Sequence, residues 1–323
     1  YEIHERLVGS EMCIRDRTRT ATQADEINSQ HTNQKYLPDA KLSSELMATS
    51  NMALAVMDAE IVLTVVPTKV VREVARQLAD VLNKQDHQVI LAHATKGLEQ
   101  VTYKRVSEML AEEVPAKYRS TLAMISGPSH AEDVIKHDLT SVSIASENEE
   151  AAKLLQQVFA NSSFRPYTNH DLLGSELAAA LKNIIAIGSG ALIGLGYGAN
   201  AQAALLTRGL SEMRALGQAM GAQPETFLGL AGIGDLIVTG MSPNSRNYRA
   251  GKQLGEGKSL QEIQDDMGMV IEGVSTTKAV YEFSQHHHVE MPITAGIYRI
   301  LYENEPLRDV ISDLMSRPLR SED

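Results

Sequence analysis

The chain has 323 residues, 43% of them hydrophobic, and a formal net charge of −11 at pH 7. This length predicts two domains with sizeable cores, and the acidic balance argues against nucleic acid or an anionic membrane as a main partner. The only cysteine, Cys13, excludes an intramolecular disulfide and a cysteine-based zinc site, which suits a reducing cytosol. The longest uncharged run, 183–207, carries five glycines, two asparagines and a glutamine, so we expect no membrane insertion.

The first 17 residues, YEIHERLVGSEMCIRDR, have neither helical nor strand periodicity and do not start with Met. They look foreign to the residues that follow, like a read-through or assembly artefact. We therefore set residues 1–17 apart from the fold.

Residues 59–168 alternate between predicted strands and helices. The predicted strands are EIVLTVVP, QVILAHATKG, TLAMISGP, LTSVSIAS and SFRPYT, and the predicted helices are KVVREVARQLADVLN, RVSEMLAEEV, SHAEDVIK and EEAAKLLQQVFAN. This order predicts a Rossmann-type, doubly wound, mostly parallel sheet. No glycine loop of the form G-x-G-x-x-G precedes Thr18, so the dinucleotide-binding domain, residues 18–170, is expected to be N-terminally incomplete.

Strand signals disappear after Asp171, and long helical patterns take over. Residues 171–323 are therefore predicted to form a helical substrate and catalytic domain, which makes the fold class α/β plus all-α. Gly188-Ser189-Gly190 follows an apolar run and imitates a dinucleotide fingerprint. The run continues a helical pattern, however, so we interpret these as small residues between packed helices.

Lys182 lies in the apolar stretch GSELAAALKNIIAIGSG. Burying an unpaired ammonium is costly, so a lysine at this place is expected to have a partner, a lowered pKa or a catalytic role. The alternative is that its long stem carries the amine to solvent.

Ordered segments from about residue 18 to the C-terminus resemble the bacterial NAD(P)-dependent glycerol-3-phosphate dehydrogenases. They are NQKYLPDAKL, VVPTK, ATKGLE, SGPSHAEDV, ALKNIIAI, LLTRGLSEM, GIGDLIVT, NSRNYRAGKQLG, MGMVIEGVSTTK and EMPIT. The resemblance implies that Lys182 is the acid/base on the C2 oxygen of the substrate. Asn183 is then either its hydrogen-bonding neighbour or a packing residue.

The resemblance also assigns the remaining site residues. Those expected to bind substrate are Lys96, Gly127, Ser129, Lys182, Asp235, Ser245, Arg246 and Asn247, and those expected to bind cofactor are Arg19, Lys96, Ala131, Arg246, Val270 and Glu272. Residues 245–247 are expected in a loop that grips the substrate phosphate. Asp235 is alternatively a helix N-cap, and Glu272 a surface charge. We expect no metal at the triplet His286–His288, since adjacent residues diverge on a helix.

The leading function is interconversion of sn-glycerol 3-phosphate and dihydroxyacetone phosphate with NADH or NADPH, supplying glycerophospholipid synthesis. We expect a cytoplasmic enzyme, and a homodimer is compatible with the resemblance. One alternative is a ketopantoate-type or hydroxyacid-type reductase. Another is a catalytically silent truncated form, because losing a central strand and the pyrophosphate loop would weaken cofactor binding.

Overall fold

The structure, a computed structural model, describes residues 14–38, 40–268, 270–319 and 321. The chain divides into two units. The sheet unit comprises the described residues up to Thr95 together with Val106–Leu172. The helical unit comprises Lys96–Arg105 together with the described residues from Leu173 onward. Cys13 and most of the segment that we set apart lie outside the described residues.

The sheet unit contains strands and helices in alternation. Its described strands are β1 (Arg15–Arg17), β2 (Met47–Thr49), β3 (Ile61–Thr64), β4 (Val89–His93), β5 (Arg119–Ser126), β6 (Thr140–Ala145) and β7 (Phe164–Asn169). Its helices are α1 (Ala21–Gln30), α2 (Met52–Ala55), α3 (Val71–Gln85), α4 (Val106–Glu113), α5 (Ala131–Val134) and α6 (Glu149–Phe159). Strands β3 to β7 form one sheet in sequence order, parallel except for the antiparallel pair β5 and β6.

The sheet is covered on both faces. Successive strand residues point to opposite faces, so Leu91 of β4 joins the apolar cluster beneath α3 and α4. Its neighbour Ala92 joins the cluster that contains Leu155 and Phe159 of α6. The predicted doubly wound, mostly parallel sheet is confirmed.

Part of the segment that the sequence sets apart belongs to the sheet unit. Arg15–Arg17 form β1, which pairs in parallel with β2, and Thr18 extends the ladder by donating its backbone N–H to Thr49 at 2.9 Å. The guanidinium of Arg15 donates to the carbonyl of Leu54 at 3.1 Å. Hydrogen bonding of side chain and backbone therefore holds a strand that has no apolar pattern.

The helical unit follows β7. Its described helices are α7 (Leu172–Gly194), α8 (Ala199–Ala219), α9 (Asp235–Met241), α10 (Arg246–Gly255), α11 (Leu260–Met267), α12 (Glu272–His286), α13 (Pro292–Tyr302) and α14 (Leu307–Met315). Helix α7 is long and apolar enough to cross a membrane, but 83% of its most apolar window is buried inside the protein. It is therefore a core helix of the unit.

Helices α7 and α10 approach each other through glycine. A Cβ added to Gly190 of α7 would lie 2.0 Å from the carbonyl oxygen of Tyr248 in α10. A Cβ added to Gly251 of α10 would lie 1.9 Å from the carbonyl oxygen of Ile187. The interpretation of Gly188-Ser189-Gly190 as small residues between packed helices is confirmed. The close contact also positions the start of α10 against α7.

Candidate active site

Lys182 lies in the middle of α7 and is only 4% exposed. Its Nζ donates to Oδ1 of Asp235 and, at 2.7 Å, to Oγ1 of Thr239. The side chain does not reach solvent. The structure therefore matches the expectation of a buried amine with a partner, and not that of an amine carried to solvent.

Asp235 is the first residue of α9 and is buried, with 1% of its surface exposed. Its Oδ1 accepts from Lys182, and its Oδ2 accepts from Nζ of Lys96 at 2.7 Å. The N-cap position of α9 is taken by Gly234, so the alternative of Asp235 as an N-cap is wrong. One carboxylate thus holds two ammonium groups, which brings together three residues that the sequence places far apart.

The charges of this cluster perturb one another strongly. The pKa of Lys182 is lowered to about 7: burial is the largest cause and the positive charge of Lys96 acts in the same direction, while Asp235 acts in the opposite direction. Burial raises the pKa of Asp235, but the ammonium groups of Lys182 and Lys96 outweigh it, so that the pKa lies below its ordinary value. Near neutral pH the carboxylate is ionised and Lys182 can both lose and gain a proton.

A chain of amide hydrogen bonds leads from Asn183, the residue after Lys182, to the start of α10. Oδ1 of Asn183 accepts from Nδ2 of Asn247 at 2.9 Å, and Oδ1 of Asn247 accepts from the backbone N–H of Gly273 at 2.9 Å. Asn183 and Asn247 are both buried. Asn183 therefore does more than pack: it connects α7 with α10, and Asn247 continues the connection to α12.

The segment expected to be a phosphate-binding loop is the start of a helix. Ser245 is the N-cap of α10, and its Oγ accepts from the backbone N–H of Tyr248 at 3.2 Å. Arg246 and Asn247 are therefore the first helical residues, and the expected loop is wrong at these two positions. The serine cap is the physical reason, since it satisfies a first-turn N–H and lets the helix begin one residue later. The change favours anion binding, because helix N-termini attract negative charge.

Arg246 is half-buried at this helix start. Its Nη1 donates to the carbonyl of Val270 at 3.1 Å, which brings two of the expected cofactor residues together. Glu272, a third, is the first residue of α12 and is partly exposed. A guanidinium beside a helix N-terminus is a suitable arrangement for a phosphate.

The other expected residues lie in the sheet unit. Gly127 follows β5 with a φ of 151°, and a Cβ there would lie 2.9 Å from the Cα of Val142, so glycine is required. Oγ of Ser129 donates to the carbonyl of Gly127 at 3.1 Å, and Ala131 begins α5. Arg19 is exposed between β1 and α1. The binding roles of these residues remain predictions.

Sequence reasoning missed Thr239. It lies one helical turn after Asp235 on α9, and its Oγ1 is 3.4 Å from Oδ1 of that carboxylate. The i, i+4 spacing of a polar pair on a short helix is the signal that could have found it. Among the residues that the structure describes, no group of three or more His, Cys, Asp or Glu side chains is placed to hold a metal ion.

Comparisons with known proteins cover most of the chain. Residues 9–152 match the sequence model of the NAD-dependent glycerol-3-phosphate dehydrogenase N-terminus, and residues 171–312 match that of its C-terminus. A glycerol-3-phosphate dehydrogenase (NAD(P)+) of Leuconostoc citreum is 72% identical over 95% of this chain and 90% of its own length. The corresponding protein of Limosilactobacillus fermentum is 56% identical over 94% and 90%.

Solved structures agree with the sequence matches. The crystal structure of glycerol-3-phosphate dehydrogenase from Coxiella burnetii superimposes with a TM-score of 0.87 at 36% identity, covering 94% of this chain and 91% of that one. The two halves of the family model, the identity to curated relatives and this likeness agree. The chain belongs to the NAD-dependent glycerol-3-phosphate dehydrogenase family.

Proposed function

We propose that this chain interconverts sn-glycerol 3-phosphate and dihydroxyacetone phosphate with NADH or NADPH. The observation that carries the proposal is the buried cluster in which Asp235 holds Lys182 and Lys96, connected through Asn183 and Asn247 to the start of α10. Such a cluster combines a titratable amine with an anion-binding helix terminus. These are the two groups that a phosphorylated ketone or alcohol requires.

Lys182 moves the proton. In the oxidative direction its neutral amine accepts the proton of the C2 hydroxyl, and in the reductive direction its ammonium donates a proton to the carbonyl oxygen. A pKa of about 7, lowered by burial, makes both forms available near neutral pH. Asp235 and Thr239 fix the direction of Nζ, which keeps the amine ready for transfer.

The phosphate of the substrate is held at the start of α10. The guanidinium of Arg246 offers a planar fork for two phosphate oxygens, and Ser245 and Asn247 add neutral donors. Since Asn247 is hydrogen-bonded to the neighbour of Lys182, the phosphate site and the proton-transfer site keep a fixed separation. Lys96, Gly127 and Ser129 are proposed as further substrate contacts.

One feature of the described residues fits a nicotinamide dinucleotide. Arg19 is exposed two residues after the parallel strand β1 and just before Thr20, whose hydroxyl caps α1. A guanidinium at the carboxyl end of a parallel strand suits the 2′-phosphate of NADP. When bound, the dinucleotide supplies the hydride chemistry. The residues that would hold it are Arg19, Lys96, Ala131, Arg246, Val270 and Glu272.

The proposal places the enzyme in the cytoplasm, as a source of the glycerol phosphate backbone of phospholipids, and includes a homodimer. The acidic net charge and the burial of α7 support a protein that works away from membranes.

The test is a spectrophotometric assay of NADPH and NADH oxidation by the purified chain with dihydroxyacetone phosphate, and with ketopantoate as the competing substrate class. We expect turnover with dihydroxyacetone phosphate only, inhibition by glycerol 3-phosphate, and a loss of about a hundredfold or more in kcat for Lys182→Met. Turnover of ketopantoate without turnover of the triose phosphate would overturn the proposal. Full activity of the Lys182→Met variant would overturn the role of the lysine.

A further inference from the structure

The helical unit includes a loop from a distant part of the sequence. Residues 96–105, which we call the Lys96 loop, lie between β4 and α4 in the chain but belong with the helices. The loop is closed at its base by an antiparallel bridge between Leu98 and Arg105. Within it, the backbone N–H of Glu99 donates to the carbonyl of Lys104 at 2.9 Å, and that of Tyr103 donates to Glu99 at 3.0 Å. Lys96 therefore lies two residues before a compact, internally bonded segment.

Polar and apolar contacts attach the Lys96 loop to helices of its unit. Nη1 of Arg105 donates to Oε2 of Glu176 on α7 at 2.7 Å, and Leu98 lies in the apolar core of the unit. The hydroxyl of Tyr103 donates to Glu282 on α12 at 3.2 Å. The pair of Arg105 and Glu176 is the most buried of the polar contacts, with 16% and 3% of the side chains exposed.

Glu176 and Lys182 share one rigid helix. They are six residues apart on α7, or about 9 Å along the helix axis. The carboxylate that holds the end of the Lys96 loop is thus part of the same element as the acid/base amine. Arg105 is bridged to Leu98, which lies two residues after Lys96. The ion pair of Arg105 and Glu176 therefore also anchors the backbone next to Lys96.

We propose that Arg105 and Glu176 are positioning residues for proton transfer: their ion pair holds the Lys96 loop so that Lys96 keeps its contact with Asp235. The inference rests on the proposed function. Neither residue needs to touch the substrate. Breaking a buried ion pair on one side is strongly destabilising, so we expect the loop to shift in such a variant.

The position of Lys96 bears on the pKa of Lys182. The groups that act on the amine of Lys182 are Asp235 from α9, which raises its pKa, and Lys96 from the loop, which lowers it. If Lys96 moves away, the amine retains its proton to higher pH. The acid limb of the pH profile, over which kcat/KM for glycerol 3-phosphate oxidation rises with pH, then shifts to higher pH. Simple loss of folded protein would lower the rate at every pH without moving the limb.

The experiment compares the pH profile of kcat/KM for four variants with that of the unaltered chain. Lys96→Met defines the shift caused by losing the ammonium itself. We expect Glu176→Gln to shift the acid limb in the same direction and to lower kcat by between about tenfold and a hundredfold, as misplaced catalytic groups do. Arg105→Lys, which keeps the charge but loses the planar fork, is expected to give a smaller shift.

A matched control breaks an ion pair elsewhere in the same unit. Glu305 accepts from Arg299 at 2.9 Å, and both side chains are partly buried. Glu305→Gln is expected to leave the pH profile unchanged. Inhibition by inorganic phosphate should also be unchanged in Glu176→Gln, because the start of α10 does not depend on the loop contact.

The outcomes separate the two proposals. If the unaltered chain does not turn over glycerol 3-phosphate, the proposed function fails. If it does, and Glu176→Gln and Arg105→Lys keep the wild-type acid limb, the positioning role is wrong. If Glu176→Gln does not fold, the profile of Arg105→Lys decides alone: an unchanged limb contradicts the inference, and a limb shifted to higher pH supports it.

Discussion

The glycine contact between α7 and α10 makes a quantitative prediction. A Cβ at Gly190 would lie 2.0 Å from the carbonyl oxygen of Tyr248 and 2.8 Å from the backbone N of Lys252, against the 3.4 Å at which ordinary contact begins. Both obstacles are helix backbone, which cannot rotate away as a side chain can. Gly190→Ala therefore requires the two helices to separate by more than 1 Å.

The size of the effect follows from two opposing contributions. Overpacking of a well-packed contact costs about 3 kcal/mol at the upper end of its usual range. Replacing a helical glycine by alanine returns about 1 kcal/mol through helix propensity. We expect Gly190→Ala to lower the free energy of unfolding by about 2 kcal/mol. We also expect a higher KM for dihydroxyacetone phosphate, since α10 carries the phosphate-binding residues.

The assay is urea unfolding followed by circular dichroism, with Gly188→Ala as the matched control. Gly188 lies on the same helix, but its added Cβ would meet only the side-chain ends of Ile297 and Leu205, each at 3.1 Å. Because those ends can move by a few tenths of an ångström, we expect the control to unfold at or above the wild-type urea concentration. Equal unfolding midpoints for both variants would refute the close approach of the helices.

Two further predictions concern single side chains. Arg246→Lys should raise the KM for dihydroxyacetone phosphate by about tenfold or more with little change in kcat, because an ammonium cannot make the paired contacts of a guanidinium. The control is Arg249→Lys, since Arg249 is exposed on the same helix. Equal KM values for the two variants in steady-state assays would count against phosphate binding by Arg246. Glu212 is buried, accepts from the backbone N–H of Ile293 and Thr294 at 2.6 and 3.1 Å, and has its pKa raised by burial from 4.5 to about 7. Between these pH values the native state therefore holds a proton that the unfolded chain has released, so the free energy of unfolding should fall as pH rises from about 5 to about 7. In Glu212→Gln this fall should disappear. Parallel curves of unfolding free energy against pH for the two proteins, measured by urea titration, would show that the carboxyl does not titrate in this range.

The alternation of strands and helices in the sheet unit could be predicted because apolar runs and helical spacings are local properties. Strand β1 could not, because its residues Arg15, Asp16 and Arg17 are all charged and carry no apolar pattern. These residues form a strand because they pair with β2, more than thirty residues further along the chain. Hydrogen bonding between distant segments therefore overrides the local signal.

The chemistry of the site could be predicted further than its geometry. A lysine in an apolar stretch requires a partner, and Lys182 has one, but Asp235 lies 53 residues further along the chain. Only the packing of α7 against α9 brings them together, and it brings in Thr239 as well. At the start of α10 the residues were identified by resemblance, while the helix itself depends on the cap made by Ser245.

The central claim is that one buried amine, held by Asp235, transfers the proton in both directions. The most direct measurement is the pH dependence of kcat/KM for glycerol 3-phosphate oxidation and for dihydroxyacetone phosphate reduction, under the same conditions. Because the pKa of Lys182 is lowered to about 7 by burial, oxidation should rise with pH through this value as the amine loses its proton. Reduction should fall through the same value as the ammonium is lost. Two profiles that both rise through neutral pH, or two flat ones, would contradict the account.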